Sequence, residues 1–375
     1  MRTRDLGIEI GQLPVGRLNA ITDVAGVAVG HATLIDGDGP LVVGHGPVRT
    51  GVTVVLPHGG DVGSEPVFAG THTLNGTGEL TGLEWVREAG MLTTPIGLTN
   101  THSVGVVRDA LVAASHRGAP ADRPRWSLPV VGETWDGYLN DIDGHHVTAE
   151  HVLAALVGAA GGPVAEGCVG AGTGTKAFGF KAGIGTSSRV VPTEHGGFTL
   201  GALVQANHGA RRRLLVDGVP VGRELAEVLP PERPDVPDDG SIIVVVATDA
   251  PLLPHQCRRL AQRASLGIAR SGGGGENSSG DMVIAFATGN RGLRPEQASD
   301  APPTSEVTML SDQHIDALFW AAIEATEEAI VNSLVAARTM TGRDGYTFHA
   351  LPHERLVEVM NRYGRGPRPS GQRPG

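Results

Sequence analysis

An α/β or α+β fold is what this sequence predicts, on two observations. Short apolar runs rich in β-branched residues alternate with longer segments of helical spacing. The run Ile242–Thr248 begins directly behind a break crowded with proline and acid, which neither a helix nor a sheet interior accepts.

In chain order the strand candidates are Val24–Thr33, Thr53–Leu56, Ile96–Asn100, Phe198–Asn207, Ile242–Thr248 and Met282–Thr288. Their Val, Ile and Thr content suits a pleated surface, where a stiff χ1 packs well. Amphipathic helices are expected over Leu80–Glu88, Val104–His116, Ala149–Ala160, Pro254–Arg270 and Gln313–Arg338. In the last of these Ile315, Leu318, Phe319, Ala322, Ile323 and Ile330 follow helical spacing. Thr148-Ala149-Glu150 supplies an N-cap hydroxyl with acid in the first turn. The stretch from Arg362 to Gly375, rich in Gly, Pro and Arg, is expected to be disordered.

The acidic break at 230–240 divides the 375 residues into segments of 240 and 135. The second segment starts in a buried-looking strand, so the expectation is one domain over 1–375 interrupted by a surface loop. Such a length can bury a large core. Glycine, at 55 residues, far exceeds its usual share of roughly 7% and is scattered through apolar segments, which implies many tight turns or close backbone approaches.

Composition excludes several classes of function. A net charge of −10 argues against nucleic acid, whose phosphates need clustered Lys and Arg. The short basic runs Arg211–Arg213 and Arg258-Arg259 read as solvated faces. No apolar run reaches membrane-spanning length, and the start of the chain lacks the apolar core of a signal peptide. Only Cys168 and Cys257 are present, too few for a disulfide framework, so a cytoplasmic protein is expected.

Gly170-Ala171-Gly172-Thr173-Gly174-Thr175-Lys176 invites a nucleotide reading and fails it: Thr175 rather than Gly precedes Lys176, and Ala177 follows. Glycine-lined backbone packing near a site is the better account. No HExxH is present, and His145-His146 lies in an Asp/Gly turn that suits a solvated pair, so neither metal nor cofactor is expected.

Four places carry polar chemistry. At Gly240-Ser241 a hydroxyl stands at the first residue of a strand. Cleavage of that bond would leave Ser241 with a nucleophilic oxygen and an amine able to act as its base, whereas a plain linker-to-strand boundary is the alternative. Ser279 and Asp281, two residues apart at a strand entrance, project to one side and could hydrogen-bond a nearby nucleophile or amine, or else form a helix cap or turn. In the loop Gly132–Asp141, Glu133 beside Trp135 suits an ammonium group and Tyr138 can donate to an oxyanion, against a surface loop with one buried tryptophan. Asn207 ends a strand as either an oxyanion donor or a turn former.

Together these pieces resemble the DmpA family, the L-aminopeptidase D-Ala-esterase/amidases and their β-peptidyl aminopeptidase relatives. The resemblance runs through Thr22–Val27, Leu74–Gly82, Gly97–Thr101, Gly132–Thr134 and Gly170–Gly174, and is sharpest over Gly240–Val244 with Ala247–Leu252. It implies a four-layer αββα sandwich, similar to N-terminal-nucleophile hydrolases but differently connected. It implies an inactive precursor that cuts itself at Gly240-Ser241 into α (1–240) and β (241–375) chains, which stay together and form a homotetramer. The resemblance makes Ser241 the nucleophile, with its freed amine, Ser279 and Asp281 around it. Tyr138 and Asn207 would form the oxyanion hole, and Glu133 would receive the substrate ammonium. Some relatives carry Glu where this chain has Asp281. Substrates would be short peptides and aminoacyl amides or esters. Two other readings are a self-processing N-acetyltransferase of the ornithine acetyltransferase type, which uses threonine as nucleophile, and a non-catalytic binding protein with an intact linker.

Overall fold

The computed structural model describes residues 1–116, 126–230, 240–295 and 302–367. The expected surface loop at 231–239 and the tail from residue 368 lie outside the described residues.

The strands β1 (Ala28–Asp36), β2 (Val48–Leu56) and β3 (Val67–Gly76) come first, followed by helix α1 (Leu83–Ala89) and strand β4 (Met91–Leu92). Next are β5 (Ile96–Asn100), α2 (Val104–Ser115), β6 (Val130–Thr134) and α3 (Ala149–Val157). A short hairpin, β7 (Lys176–Ala177) and β8 (Phe180–Lys181), leads into β9 (Ile184–Val190), β10 (Thr199–Asn207) and the single turn α4 (Val221–Glu224). Then come β11 (Ser241–Thr248), α5 (Pro254–Ser271), β12 (Gly280–Ala287), α6 (Ile315–Val335) and, near the end, α7 (His353–Arg362).

Two main sheets result, one ordered β1-β2-β5-β6 and the other β4-β3-β12-β11-β10-β9. Alternation along β11 shows how they stack. Ile243, Val245 and Ala247 meet Val55, Ile96, Leu98 and Val130 of the smaller sheet, forming the core between the sheets. Ile242, Val244 and Val246 point the other way, onto Leu260, Ala261, Ala264 and Ile268 of α5 and Ala329 and Ile330 of α6. The outer face of the smaller sheet, through Val52, Val54 and Val131, is covered by Val107, Ala110 and Leu111 of α2 and Val152 and Ala155 of α3. The layers are therefore helix, sheet, sheet, helix, as expected. A strand buried on both faces cannot alternate apolar with polar, which is why β11 is an unbroken apolar run; each such Ile or Val is worth about 1.5–3 kcal/mol.

The expected elements are present with shifted ends. β1 starts at Ala28 because Ile21–Asp23 forms a helical turn, its Asp23 carboxylate accepting from the Ala20 and Leu18 amides. α1 begins at Leu83 because Leu80 bridges to Gly132 at the edge of β6. Strands β3, β6 and β9 and helix α7 were not anticipated. β9, Ile-Gly-Thr-Ser-Ser-Arg-Val, is polar by composition yet buried over six of its seven residues.

Three expectations are corrected. α6 is not amphipathic: Glu324, Glu327 and Glu328 are as buried as its apolar residues. Sheet and α5 cover two of its sides, and the N-terminal segment crosses a third, so its carboxylates need partners. Arg189 donates to Glu324 at 3.1 Å and to Glu328 at 2.7 Å, and Arg4 reaches Glu328 at 2.9 Å. Arg211 is not on a solvated face either. It is buried over the Phe180 ring and donates to the carbonyls of Phe178 at 3.0 Å and Gly179 at 2.6 Å. Of the expected solvated pair, His145 is exposed, but His146 is half-buried and bonds Asp141 at 2.8 Å.

Candidate active site

One end of the larger sheet gathers the polar residues. β11 and β12 run parallel, so both begin there, with Ser241 opposite Gly280. β10 runs antiparallel and ends there, with Asn207 opposite Ser241. β3 also ends there, with Gly76 opposite Gly280 and Asn75 opposite Asp281. In the smaller sheet the parallel strands β5 and β6 end at Asn100 and Thr134, one residue on either side of Thr101 and Glu133.

Ser241 is buried at the first position of β11. By strand alternation its side chain shares the inter-sheet face with Ile243, while Asp281 shares the helix-side face with Val283. The close approach of β10 leaves no room at the preceding residue: a Cβ on Gly240 would stand 1.7 Å from the Asn207 carbonyl oxygen and 3.3 Å from Asn207 Nδ2. Asn207 is itself oriented, because its Oδ1 accepts the Lys176 amide at 3.0 Å, which leaves Nδ2 as a donor on the Gly240 side.

Ser279 donates to Asp281 Oδ1 at 2.7 Å, and both are buried. Asp281 Oδ2 is buried without a hydrogen-bond partner among the described residues. Burial pushes the Asp281 carboxyl up to about 6, against the opposing effect of the Ser279 hydroxyl. Glu133 is buried, its Oε1 accepting the Glu79 amide at 2.9 Å and its Oε2 the Thr101 hydroxyl. Burial raises its pKa, and the Thr101 and Glu79 hydrogen bonds work against that rise. A carboxylate held in this way gains from a cation delivered to it.

Trp135 lies at the rim, 39% exposed, its ring edge-to-face with His102 at 5.3 Å. Gly137 lies close beneath it, and a Cβ there would stand 2.7 Å from the indole, so a side chain at 137 would displace the ring. Tyr138 is half-buried, with the Lys176 ammonium 5.9 Å from its ring centroid. Lys176 thus sits between Tyr138 and Asn207. The glycines of 170–174 are explained by backbone packing: a Cβ on Gly172 would meet the Ile184 nitrogen at 2.3 Å and one on Gly174 the Arg49 carbonyl at 2.2 Å.

Sequence reasoning missed the supporting residues Asn75, Thr77, Thr101 and Lys176. The first three stand in segments that carried the family resemblance, at or just past strand ends, where polar side chains have a site to serve. Lys176 orients Asn207 through its backbone amide, which carries no such signal. Among the described residues no three His, Cys, Asp or Glu side chains converge as metal ligands, and no helix is long and apolar enough to cross a membrane.

Two apposed sheets between helix layers, with a serine at the start of a central strand, make this an α+β sandwich. The structure superposes on that of the L-aminopeptidase D-Ala-esterase/amidase from Ochrobactrum anthropi, described as a prototype of the serine aminopeptidases and a new variant of the Ntn hydrolase fold. The TM-score is 0.88 at 45% identity, covering 97% of this chain and 99% of that one. Residues 19–348 match the model of peptidase family S58, and the chain belongs to that family. It is 51% identical to the beta-peptidyl aminopeptidase BapA of Sphingosinicella microcystinivorans, over 97% of this chain and 93% of the relative. A beta-aminopeptidase from Burkholderia sp. matches over the full length of both chains, at 55% identity and a TM-score of 0.90. The protein is accordingly a hydrolase with aminopeptidase activity.

Proposed function

We propose that the chain is a single self-processing domain over 1–375 that cuts its own Gly240-Ser241 bond and then works as a serine aminopeptidase. The observation that carries this reading is the register at the sheet end, where Ser241 lies between Asn207 on one side and Gly280 on the other. In maturation the Ser241 oxygen attacks the Gly240 carbonyl carbon, the C–N bond breaks, and the acyl group moves to oxygen. Water then hydrolyses the ester, leaving a Gly240 carboxylate and a free Ser241 amine.

In turnover that amine takes the hydroxyl proton as the oxygen attacks the substrate carbonyl. Tyr138 and Asn207 Nδ2 donate to the oxyanion, the proton passes to the departing amine, and water releases the acyl group from Ser241. Glu133 pairs with the substrate ammonium, and Trp135 borders that pocket. Ser279 and Asp281 flank Gly280, the strand partner of Ser241, which suits a role in holding and tuning the freed amine. Asp281 keeps the charge of the longer acid found in some relatives, and its bond to Ser279 supports the same function at a shorter reach.

Because relatives of this chain are named as beta-peptidyl aminopeptidases, short peptides, amides and esters with an N-terminal β-residue belong beside L- and D-residues among its substrates. The serine at position 241 disfavours the threonine-dependent acetyltransferase alternative. A cytoplasmic homotetramer of paired α and β chains completes the reading. The tetramer and the paired chains rest on family resemblance, the compartment on two buried, unpaired cysteines.

Ser241→Ala tests the proposal directly on a denaturing gel. The expected result is one uncut, folded, inactive chain beside a parent that gives fragments of 240 and 135 residues. Normal processing of the alanine variant would remove Ser241 from the nucleophile's role, and an uncut yet active parent would favour a different chemistry.

A further inference from the structure

The segment Asn75–Glu79 leaves the end of β3 and touches both halves of the site. At one end, Asn75 Nδ2 donates to the carbonyls of Glu276 at 2.9 Å, Asn277 at 3.2 Å and Ser279, so one amide clamps the turn that delivers Ser279. Thr77 donates its hydroxyl to the Asn277 carbonyl at 2.8 Å and its backbone N–H to the Ser279 carbonyl at 3.3 Å. A bulge in the β3–β12 register between Asp281 and Met282 re-aims the strand here, as bulges beside sites do. At the other end the Glu79 amide holds Glu133 Oε1. Between them Gly78 lies so close to both that an added Cβ would stand 2.9 Å from Gly280 Cα and 3.0 Å from Glu133 Oε1.

A segment of five residues thus connects the start of the β12 strand, which neighbours Ser241, with the carboxylate assigned to the substrate ammonium. We propose that this strap is a spacer that sets the distance from Glu133 to the Ser241 strand end, and so selects how many carbons separate amine from scissile carbonyl. The inference rests on the proposed roles of Ser241 and Glu133. A β-aminoacyl group exceeds an α-aminoacyl group by one methylene, about 1.5 Å of bond. Misplacement on that scale costs reaction rate steeply, on the order of a hundredfold for 1 Å. A rigid spacer therefore discriminates between the two classes without touching the side chain of either. The strap residues Gly76–Glu79 are exposed, so their substitution leaves the core intact.

The test compares kcat/KM for β-alanyl and L-alanyl p-nitroanilides on processed enzyme. Gly78→Ala presses Glu133 away from Gly280 and is expected to raise the β-to-α ratio about tenfold. Thr77→Val, which loosens the other end through one hydrogen bond, is expected to change the ratio less. A folded, processed Gly78→Ala enzyme with the ratio of the parent overturns the inference. If that variant does not fold or process, an unchanged ratio in Thr77→Val overturns it instead. Glu133→Gln separates the two layers of argument. If it leaves hydrolysis intact, the ammonium assignment itself has failed, whereas impaired hydrolysis with unchanged ratios in the strap variants condemns only the spacer.

Discussion

The Ser279 hydroxyl donates to Asp281 Oδ1 at 2.7 Å with both side chains buried, and among the described residues the second carboxylate oxygen has no hydrogen-bond partner. The pair sits one strand from Ser241 with its carboxyl pushed up to about 6. Charge on Asp281 therefore turns on within the working range of a hydrolase.

If ionised Asp281 supports the free Ser241 amine, kcat should fall on the acid side with an apparent pKa about 6. Asp281→Asn should lower kcat and abolish that limb, measured as a pH–rate profile on processed enzyme. An unaltered limb in Asp281→Asn would assign it to another group. The raised pKa also means that this carboxyl's contribution to folding is full below the ordinary carboxylate range and is lost as pH rises through about 6.

Gly240→Ala should arrest or greatly slow maturation while Ser241 is untouched. The added carbon would need to occupy space 1.7 Å from the Asn207 carbonyl, so the scissile peptide must leave the register that holds it beside Asn207. A time course of fragment appearance on a gel measures this, and cleavage at the parental rate would show that the close β10 contact is irrelevant to processing.

Glu133→Gln should weaken hydrolysis of substrates with a free amine more than self-cleavage, in which no ammonium takes part. Losing one member of a buried charge pair costs about 2 kcal/mol or more, roughly thirtyfold in kcat/KM. Equal damage to both activities would place Glu133 in the support of the nucleophile or of the fold.

Tyr138→Phe and Asn207→Ala should each lower kcat with little change in KM, because an oxyanion donor acts only as charge develops. A loss on the order of 10²–10³ is the expected scale for one such donor. Both variants must be assayed after processing, since the same donors serve the first cleavage. A raised KM at unchanged kcat would move these residues into the ground-state pocket.

Much of the site was legible because its chemistry stands in short contiguous runs. Gly240-Ser241 joins a break to a strand, and Ser279 and Asp281 share a face by the twofold period alone, as their hydrogen bond bears out. Arg211 and the carboxylates of α6 were misread for the opposite reason. Their burial depends on segments distant in sequence: the carbonyls of Phe178 and Gly179 for one, and Arg4, Arg189 and Arg270 for the others.

Local pattern by itself determined the strand cores of β5, β10, β11 and β12, the course of α2, α3 and α5, and a serine poised at the head of a buried strand. Periodicity and turn chemistry act between near neighbours, so one chain suffices to read them. Only the tertiary structure decided that β11 pairs in parallel with β12 and antiparallel to β10, which sets Ser241 between Gly280 and Asn207. Only it decided that Asn75–Glu79 spans from the Ser279 turn to Glu133. Strand partners are chosen by which apolar faces can be buried together across the whole chain, and that choice leaves no mark in the spacing of any one segment.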